Sequence, residues 1–250
     1  MNRGRAQAQA YLSLYQTAAR PCAYLPDRME TVQFVDPRTP MNGTLYQTLM
    51  DKGFRRAGAY VYRPACAACR SCIPLRLAVA DFVPNRSQRR NQRRNSDLSL
   101  HQRPALFDPQ HFALYAAYLR HRHPEGDMAR QVTAQSYRDY LIQPWGGETR
   151  LLELRMGPRL LALAVTDFLP SALSAVYTFY DPTALARAPG VQAILRQISL
   201  AHYLGFDYLY LGYWIGDCRR MNYKDHYRPL QALIQGQWRQ FGPGEPLPAG

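Results

Sequence analysis

The second half of the chain predicts a mixed α/β sheet with one long helix packed on it. Three observations carry that prediction. Thr149 to Arg155, Leu160 to Phe168 and Ala172 to Tyr180 are consecutive runs of strand character, separated by the turn-like Met156-Gly157-Pro158 and Leu169-Pro170-Ser171. Val191 to Leu204 repeats apolar residues at helical spacing through Val191, Ile194, Leu195, Ile198 and Ala201, and Gly205 closes it. Asp207 to Ile215 is almost continuously apolar, as a strand buried on both faces requires.

The other elements follow in chain order. Tyr11, Leu14, Tyr15 and Ala18 share a helical stripe, so residues 1–20 read as a weak helix ended by Arg20-Pro21-Cys22. Thr31 to Val35 reads as a strand, and Leu45 to Met50 as a short helix stopped near Gly53. Gly58 to Tyr62 and Leu75 to Val79 read as strands flanking three closely spaced cysteines. Residues 97–102 alternate and predict a strand. Asp108-Pro109 is an N-cap followed by a proline suited to the first helical position, and Phe112, Tyr115, Tyr118 and Leu119 form the stripe behind it. A further helix covers Ala134 to Leu141. Residues 181–190 read as a loop, 216–225 as a short helix or tight loop, and Pro229 to Trp238 as a last strand. Residues 1–96 then form an N-terminal unit with the cysteines and an arginine-rich helix. Residues 97–240 form the sheet domain, and the proline- and glycine-rich 241–250 is expected to be disordered. The order strand, strand, strand, helix, strand, short helix, strand is the layout of acetyltransferase-like (GNAT-like) acyltransferases, though a layout cannot assign a reaction.

Composition narrows the partners. The chain has 250 residues, 47% of them hydrophobic, which is enough for a substantial core. Its formal net charge is +13, which points to nucleic acid or anionic lipid. Lys52 and Lys224 are the only lysines, so the charge is almost all arginine, as a compositional bias would also produce. No apolar run approaches the ~20 residues of a membrane helix, and MNRGRAQAQA lacks an apolar signal segment, so the expectation is a cytoplasmic protein without a membrane partner.

Two local patterns carry chemistry. Arg86, Arg89, Arg90, Arg93 and Arg94 fall at i, i+3, i+4, i+7 and i+8, one face of a helix. Asn85 is its expected N-cap and Gln88 its capping-box partner. Five guanidiniums on one face repel each other, and a polyphosphate laid along them removes that penalty, which marks a nucleic-acid-binding helix. Cys66, Cys69 and Cys72 stand three apart, with Cys22 upstream, and four thiolates suit zinc or an iron–sulfur cluster. Four packed thiols with no metal are the plain alternative. Cys218 stands apart and reads as a packed thiol.

Several long phrases then resemble the arginyl-tRNA–protein transferase family. They are CAYLPDR (22–28), GFRRAGAYVYRPACAACRSCIPLRL (53–77), FVPNRSQRRNQRRN (82–95), EGDM (125–128), SAVYTFYDP (174–182) and YLYLGYWIGDCRRMNYKDHYRP (208–229). The likeness spans about residues 10–238. It implies transfer of an aminoacyl group from a charged tRNA to the N-terminal amine of a protein, marking that protein for degradation. In the compact bacterial branch it implies leucyl-tRNA as donor and an N-terminal Asp or Glu as acceptor. Relatives in eukaryotes carry an N-terminal cysteine motif associated with a metal or cluster. Cys22 and Cys72 fit it, but Leu25 stands where those relatives have a second cysteine, a place that Cys66 or Cys69 could fill.

The chemistry so implied needs little machinery. The donor ester is already activated, so the transfer step requires no cofactor, and an α-amine with a pKa of about 7.7–8.0 is partly neutral at pH 7. The enzyme must position two substrates and stabilise an oxyanion. Tyr177, Tyr180, Asp181, Tyr213, Asn222 and Tyr223 are the polar candidates near such a cleft, although a strand tyrosine is more often packing. Asp181, Asp217 or Asp167 could hold the aminoacyl amine. The acceptor carboxylate needs a cation, and Lys224, Arg219, Arg220 and Arg228 crowd one segment, with Lys224 the first choice. Arg187 to Gln192 departs from a coenzyme A loop, since Gln192 stands where a small residue is needed. The rival reading is a nucleic-acid-binding module with a structural cysteine–metal site and no transferase activity.

Overall fold

Alternation explains how one strand can be apolar along its whole length. Along Leu161 to Val165, Ala162 and Ala164 join a core cluster on one side while Leu163 and Val165 join another on the opposite side. The computed structural model describes residues 12–122, 124 and 127–248, with the side chains of 127 and 128 excluded. Tyr11 of the first stripe, and Glu125 and Gly126 of the EGDM phrase, lie outside the described residues.

The N-terminal part forms β1 (Leu14–Gln16), β2 (Arg20–Pro21), β3 (Met29–Glu30), β4 (Val32–Val35), α1 (Gly43–Asp51), β5 (Arg55–Ala57) and β6 (Tyr60–Pro64). It continues with β7 (Ile73–Ala78) and α2 (Arg86–Arg94). Next come β8 (Ser99–Pro104), α3 (Pro109–Arg122), α4 (Asp127–Arg130) and α5 (Ala134–Tyr137), then β9 (Glu148–Met156), β10 (Arg159–Phe168) and β11 (Ala172–Tyr180). The chain finishes with α6 (Pro189–Tyr203), β12 (Tyr208–Trp214), β13 (Leu230–Ile234) and β14 (Gln237–Phe241). The order β1-β4-β6-β5 makes a small antiparallel sheet, and β14-β13-β7-β12-β11-β10-β9-β8 makes the main one. The expected mixed α/β architecture is therefore present. β7 comes from within the first 96 residues yet lies inside the main sheet, between β12 and β13.

Two expectations are corrected. Residues 14–16 form an exposed strand paired with β4, Leu14 opposite Val35, and not part of a helix. A helix there would have no face to bury, so an available edge decides the matter. The single last strand is a hairpin, because Gln235 and Gly236 both take positive φ (50° and 80°) and reverse the chain. Residues 182–187 of the expected loop form a 3-10 turn capped by Asp181, and Leu247 packs on the main core.

α6 connects β11 to β12, the one parallel pair in the main sheet. Its Ile194, Leu195, Ile198 and Ala201 pack on one face of the sheet, while Tyr115, Leu119 and Tyr137 from α3 and α5 cover the other. Pairing of β11 with β12 is confined to Ala172–Tyr208, Leu173–Leu209 and Ser174–Tyr210. Just beyond it each strand carries a bulge against its outer neighbour. β11 shifts register against β10 at Val165/Thr166, and β12 shifts against β7 at Tyr210/Gly212. A bulge bends its strand. Two bulges at the same level let β11 and β12 part, and that split is the framework of the site. No helix among the described residues is long and apolar enough to cross a membrane.

Candidate active site

The split is bridged by a side chain from the small sheet. Arg55 on β5 is 8% exposed, and its Nη2 donates to Ala175 O at 2.9 Å, the first β11 carbonyl beyond the parallel pairing. On the other lip Gly212 of β12 has φ +82°, and a Cβ there would meet the guanidinium at 3.4 Å. Nη1 of Arg55 is buried with no hydrogen-bond partner. Lys224, on the turn Asn222–His226 after β12, is also buried, and its Nζ donates to Tyr213 O. Burial, and then the Arg55 charge, push its ammonium down to about 7. Neither cation has a carboxylate partner among the described residues.

The neighbour in sequence behaves otherwise. Arg56 makes a two-point contact with Asp167 on β10, Nε to Oδ2 at 2.7 Å and Nη2 to Oδ1 at 2.6 Å, with both side chains fully buried. Thr149 Oγ1 donates to the same carboxylate, and Trp145 Nε1 donates to Thr149. Burial alone would lower the Arg56 pKa, but the Asp167 charge outweighs it and the guanidinium is held charged. Asp167 is thus sealed and fully committed. It cannot hold an aminoacyl amine, which corrects that expectation.

Beyond the split lies a nest of tyrosines. Tyr177 packs edge-on to Tyr140 and Tyr118, and Tyr180 packs on Tyr118 at 4.8 Å between ring centres. Burial pushes the Tyr177 hydroxyl far up, and Tyr118, Tyr115, Tyr140 and Tyr223 add to this. The Tyr177 phenol stays protonated, as a donor to an oxyanion must be. Tyr223 is 41% exposed.

The remaining candidates do not converge. Asp181 caps Thr183 and binds Arg159 at 2.5 Å, which holds its carboxyl below the usual range even though burial opposes this. Asn222 ties Trp214 Nε1 and Gly216 O together inside its own loop. Tyr213 spends its hydroxyl on Gly53 O at 2.7 Å. Arg219 and Asp217 are exposed, and exposed Arg220 reaches Ala23 O. Arg228 donates to Asp225 O and Gly242 O. Of the four expected acceptor cations, Lys224 alone is buried and within reach of the Arg55 charge. The residue that sequence reading missed is Arg55. Its signal was the pair Arg55-Arg56 inside an otherwise apolar strand context, GFRRAGAYV.

Cys22, Cys66, Cys69 and Cys72 line a cavity of about 230 Å³ together with Tyr62 and Tyr213. Burial, then the neighbouring Cys66, Cys22 and Cys69, push the Cys72 thiol up to about 12. Cys69 Sγ bonds Ser71 Oγ, and Cys66 Sγ points to Thr31 O. Among the described residues no three His, Cys, Asp or Glu side chains stand where they could hold a metal ion. A bound metal would therefore need the thiols to rearrange. Cys218 does not stand apart: it is buried against Leu25 and Ile215, beside Cys22, Cys69 and Cys72.

α2 forms where expected. Asn85 and Gln88 make the full capping box, and all five arginines are exposed. The opposite face is buried and polar. Asn91 donates to Arg187 O and Ala188 O, Asn95 to Arg187 O, and Gln88 to His226 O. Asn91 and Asn95 thus fix α2 to the turn that starts α6, where Ala188 takes a left-handed φ of 46°, and Gln88 ties it to the turn Asn222–His226.

Comparison with known proteins bears on this geometry. Residues 20–90 match the family model for the N terminus of the arginine-tRNA-protein transferase, and residues 110–234 match the model for its C terminus. The chain is 46% identical to the aspartate/glutamate leucyltransferase of Hahella chejuensis, over 91% of this chain and 96% of that protein. It is 44% identical to the protein of the same name from Alcanivorax borkumensis, over 92% and 94%. Among solved structures, L-PGS from Bacillus licheniformis aligns with a TM-score of 0.45 at 11% identity, over 69% of this chain and 59% of that one. FemX aligns with a TM-score of 0.42 at 9% identity, over 80% and 79%.

Proposed function

The chain belongs to the arginine-tRNA-protein transferase family, and we propose that it moves leucine from leucyl-tRNA to the N-terminal amine of proteins that begin with Asp or Glu. The product is a protein marked for degradation, and the reaction belongs in the cytoplasm. The 46% identity to an aspartate/glutamate leucyltransferase, over nearly the whole of both chains, carries this reading. Identity spread across both halves disfavours a nucleic-acid-binding module that has lost its activity.

The neutral acceptor amine attacks the leucyl ester carbonyl. An amide C–N bond forms, the ester C–O bond to the tRNA ribose breaks, and the amine's proton leaves as the ribose hydroxyl is released. The ester supplies the driving force, so the transfer step calls for no cofactor. Protonated Tyr177, with Tyr180 and Tyr223 beside it, supplies donors near the split where an oxyanion could be held. Lys224, whose ammonium is held down to about 7 until an anion arrives, would take up its proton and its positive charge against the acceptor carboxylate. The exposed arginine row of α2 (Arg86, Arg89, Arg90, Arg93 and Arg94) supplies the tRNA contact. Zinc or an iron–sulfur cluster on Cys22, Cys66, Cys69 and Cys72 would be structural and take no part in the transfer.

The test is a donor and acceptor matrix: labelled leucyl-, phenylalanyl- and arginyl-tRNA against peptides starting Asp, Glu, Arg or Lys. Label is expected in the Asp and Glu peptides from leucyl-tRNA. Bound tRNA with no label in any peptide would sink the reading.

A further inference from the structure

We propose that Arg55 is the residue that reads the acceptor's acidic side chain, forming with Lys224 a two-cation seat at the split between β11 and β12. The inference rests on the transferase reading above and adds to it a specificity residue from the N-terminal sheet.

Three observations carry it. First, the described chain has three buried arginines, Arg55, Arg56 and Arg76, and two of them have a carboxylate. Arg56 has Asp167, and Arg76 has Asp51 at 2.6 Å with Tyr208 and Trp238 stacked on its guanidinium. Arg55 has a single bond to a backbone carbonyl and one empty, buried nitrogen. A guanidinium cannot shed its proton to escape burial, so its charge waits for an anion. Second, Lys224 is also buried without a carboxylate, and it lies close enough to Arg55 to feel its charge, so an anion placed between them would relieve both. Third, a cavity adjoins the strands that carry Arg55 and Gly212, although neither of these residues nor Lys224 lines it. Arg55 stands directly opposite Tyr62 in the β5–β6 pairing, and Gly212 precedes Tyr213 on β12. Tyr62 and Tyr213 both line the 230 Å³ cavity.

A simple plug for the strand gap would need only the bond to Ala175 O, and a neutral amide could make it. The fork of an arginine can instead hold Ala175 O with one nitrogen and a carboxylate oxygen with the other. Asp and Glu bring that oxygen, whereas Asn and Gln bring the same shape without the charge.

The experiment uses the full-length protein, leucyl-tRNA, and peptides that differ only in their first residue: Asp, Asn, Glu or Gln. Wild-type protein is expected to favour Asp over Asn and Glu over Gln. Arg55→Gln is expected to lower that ratio of kcat/KM at least about 30-fold, and Arg55→Lys to restore part of it. An unchanged ratio in Arg55→Gln overturns the inference while the transferase reading stands. No transfer by wild type to any peptide removes the reading and the inference with it. Should Arg55→Gln fail to fold, the wild-type protein decides. A larger rise in melting temperature with the Asp peptide than with the Asn peptide supports the seat, and equal rises overturn it.

Discussion

Arg55 and Arg56 are consecutive residues of one short strand, both buried, and they have opposite fates. Arg56 is closed off in a four-residue network with Asp167, Thr149 and Trp145. Arg55 reaches a carbonyl on the far side of a parted strand pair and keeps a nitrogen empty. The difference teaches how a fold separates structural from functional charge. A buried ion that holds the molecule together carries its counter-ion inside the chain. A buried ion without one is a standing cost, several kcal/mol in a typical interior, that something from outside can relieve.

The comparison is broken most directly at the sealed pair. Asp167→Ala strands the Arg56 charge and should cost about 3–5 kcal/mol of stability, read by denaturant unfolding. A loss no greater than that of Arg55→Gln would mean the two arginines are not of different kinds. Next in size is the exposed row on α2, where cations are solvated instead of buried. Arg89→Glu with Arg93→Glu should weaken tRNA binding and make its log–log salt dependence shallower by roughly two, since each lost phosphate contact releases about one fewer counter-ion. An unchanged slope would take α2 out of the tRNA site.

Lys224 gives a smaller effect with a definite sign. Its ammonium is held down to about 7 in the fold, against an ordinary value of 10.5. Between those values the unfolded chain binds the proton that the folded chain does not, so stability contributed at this site rises with pH from about 7 to 10.5. The slope is at most about 1.4 kcal/mol per pH unit. Lys224→Met should abolish that rise and leave the protein at least as stable at pH 6, measured by unfolding across pH. A rise that persists would mean Lys224 is not charged against its surroundings. The smallest effect is at the α2 anchor. Asn91→Ala removes two hydrogen bonds to the turn before α6 and should cost about 1–2 kcal/mol, seen as a lower melting temperature.

Much of this was legible in advance because it is local. The α2 capping box depends on Asn85 and Gln88, three residues apart. α6 follows from the spacing of Ile194, Leu195, Ile198 and Ala201, and its stop from Gly205 at φ +70°. The failures were cases where a distant partner decided. Residues 14–16 carried a helical stripe but met the open edge of β4. The hairpin at Gln235-Gly236 had a turn signal in its glycine, but β13 also needed β7 as its inner neighbour. Of the expected acceptor group, Arg219, Arg220 and Arg228 shared a segment with Lys224 in sequence without sharing its direction in space.

The sequence by itself determined the periodic elements, the arginine row and the family, since each is written in residues that are neighbours or in phrases that can be matched. Tertiary structure alone decided that β11 and β12 part at paired bulges. It also decided that Arg55 fills the gap from 120 residues away in the chain, and that Lys224 is buried where it feels the Arg55 charge. The reason is physical. A side chain's charge state and partner depend on what the fold brings to within a few ångströms, and no spacing along the chain records that distance.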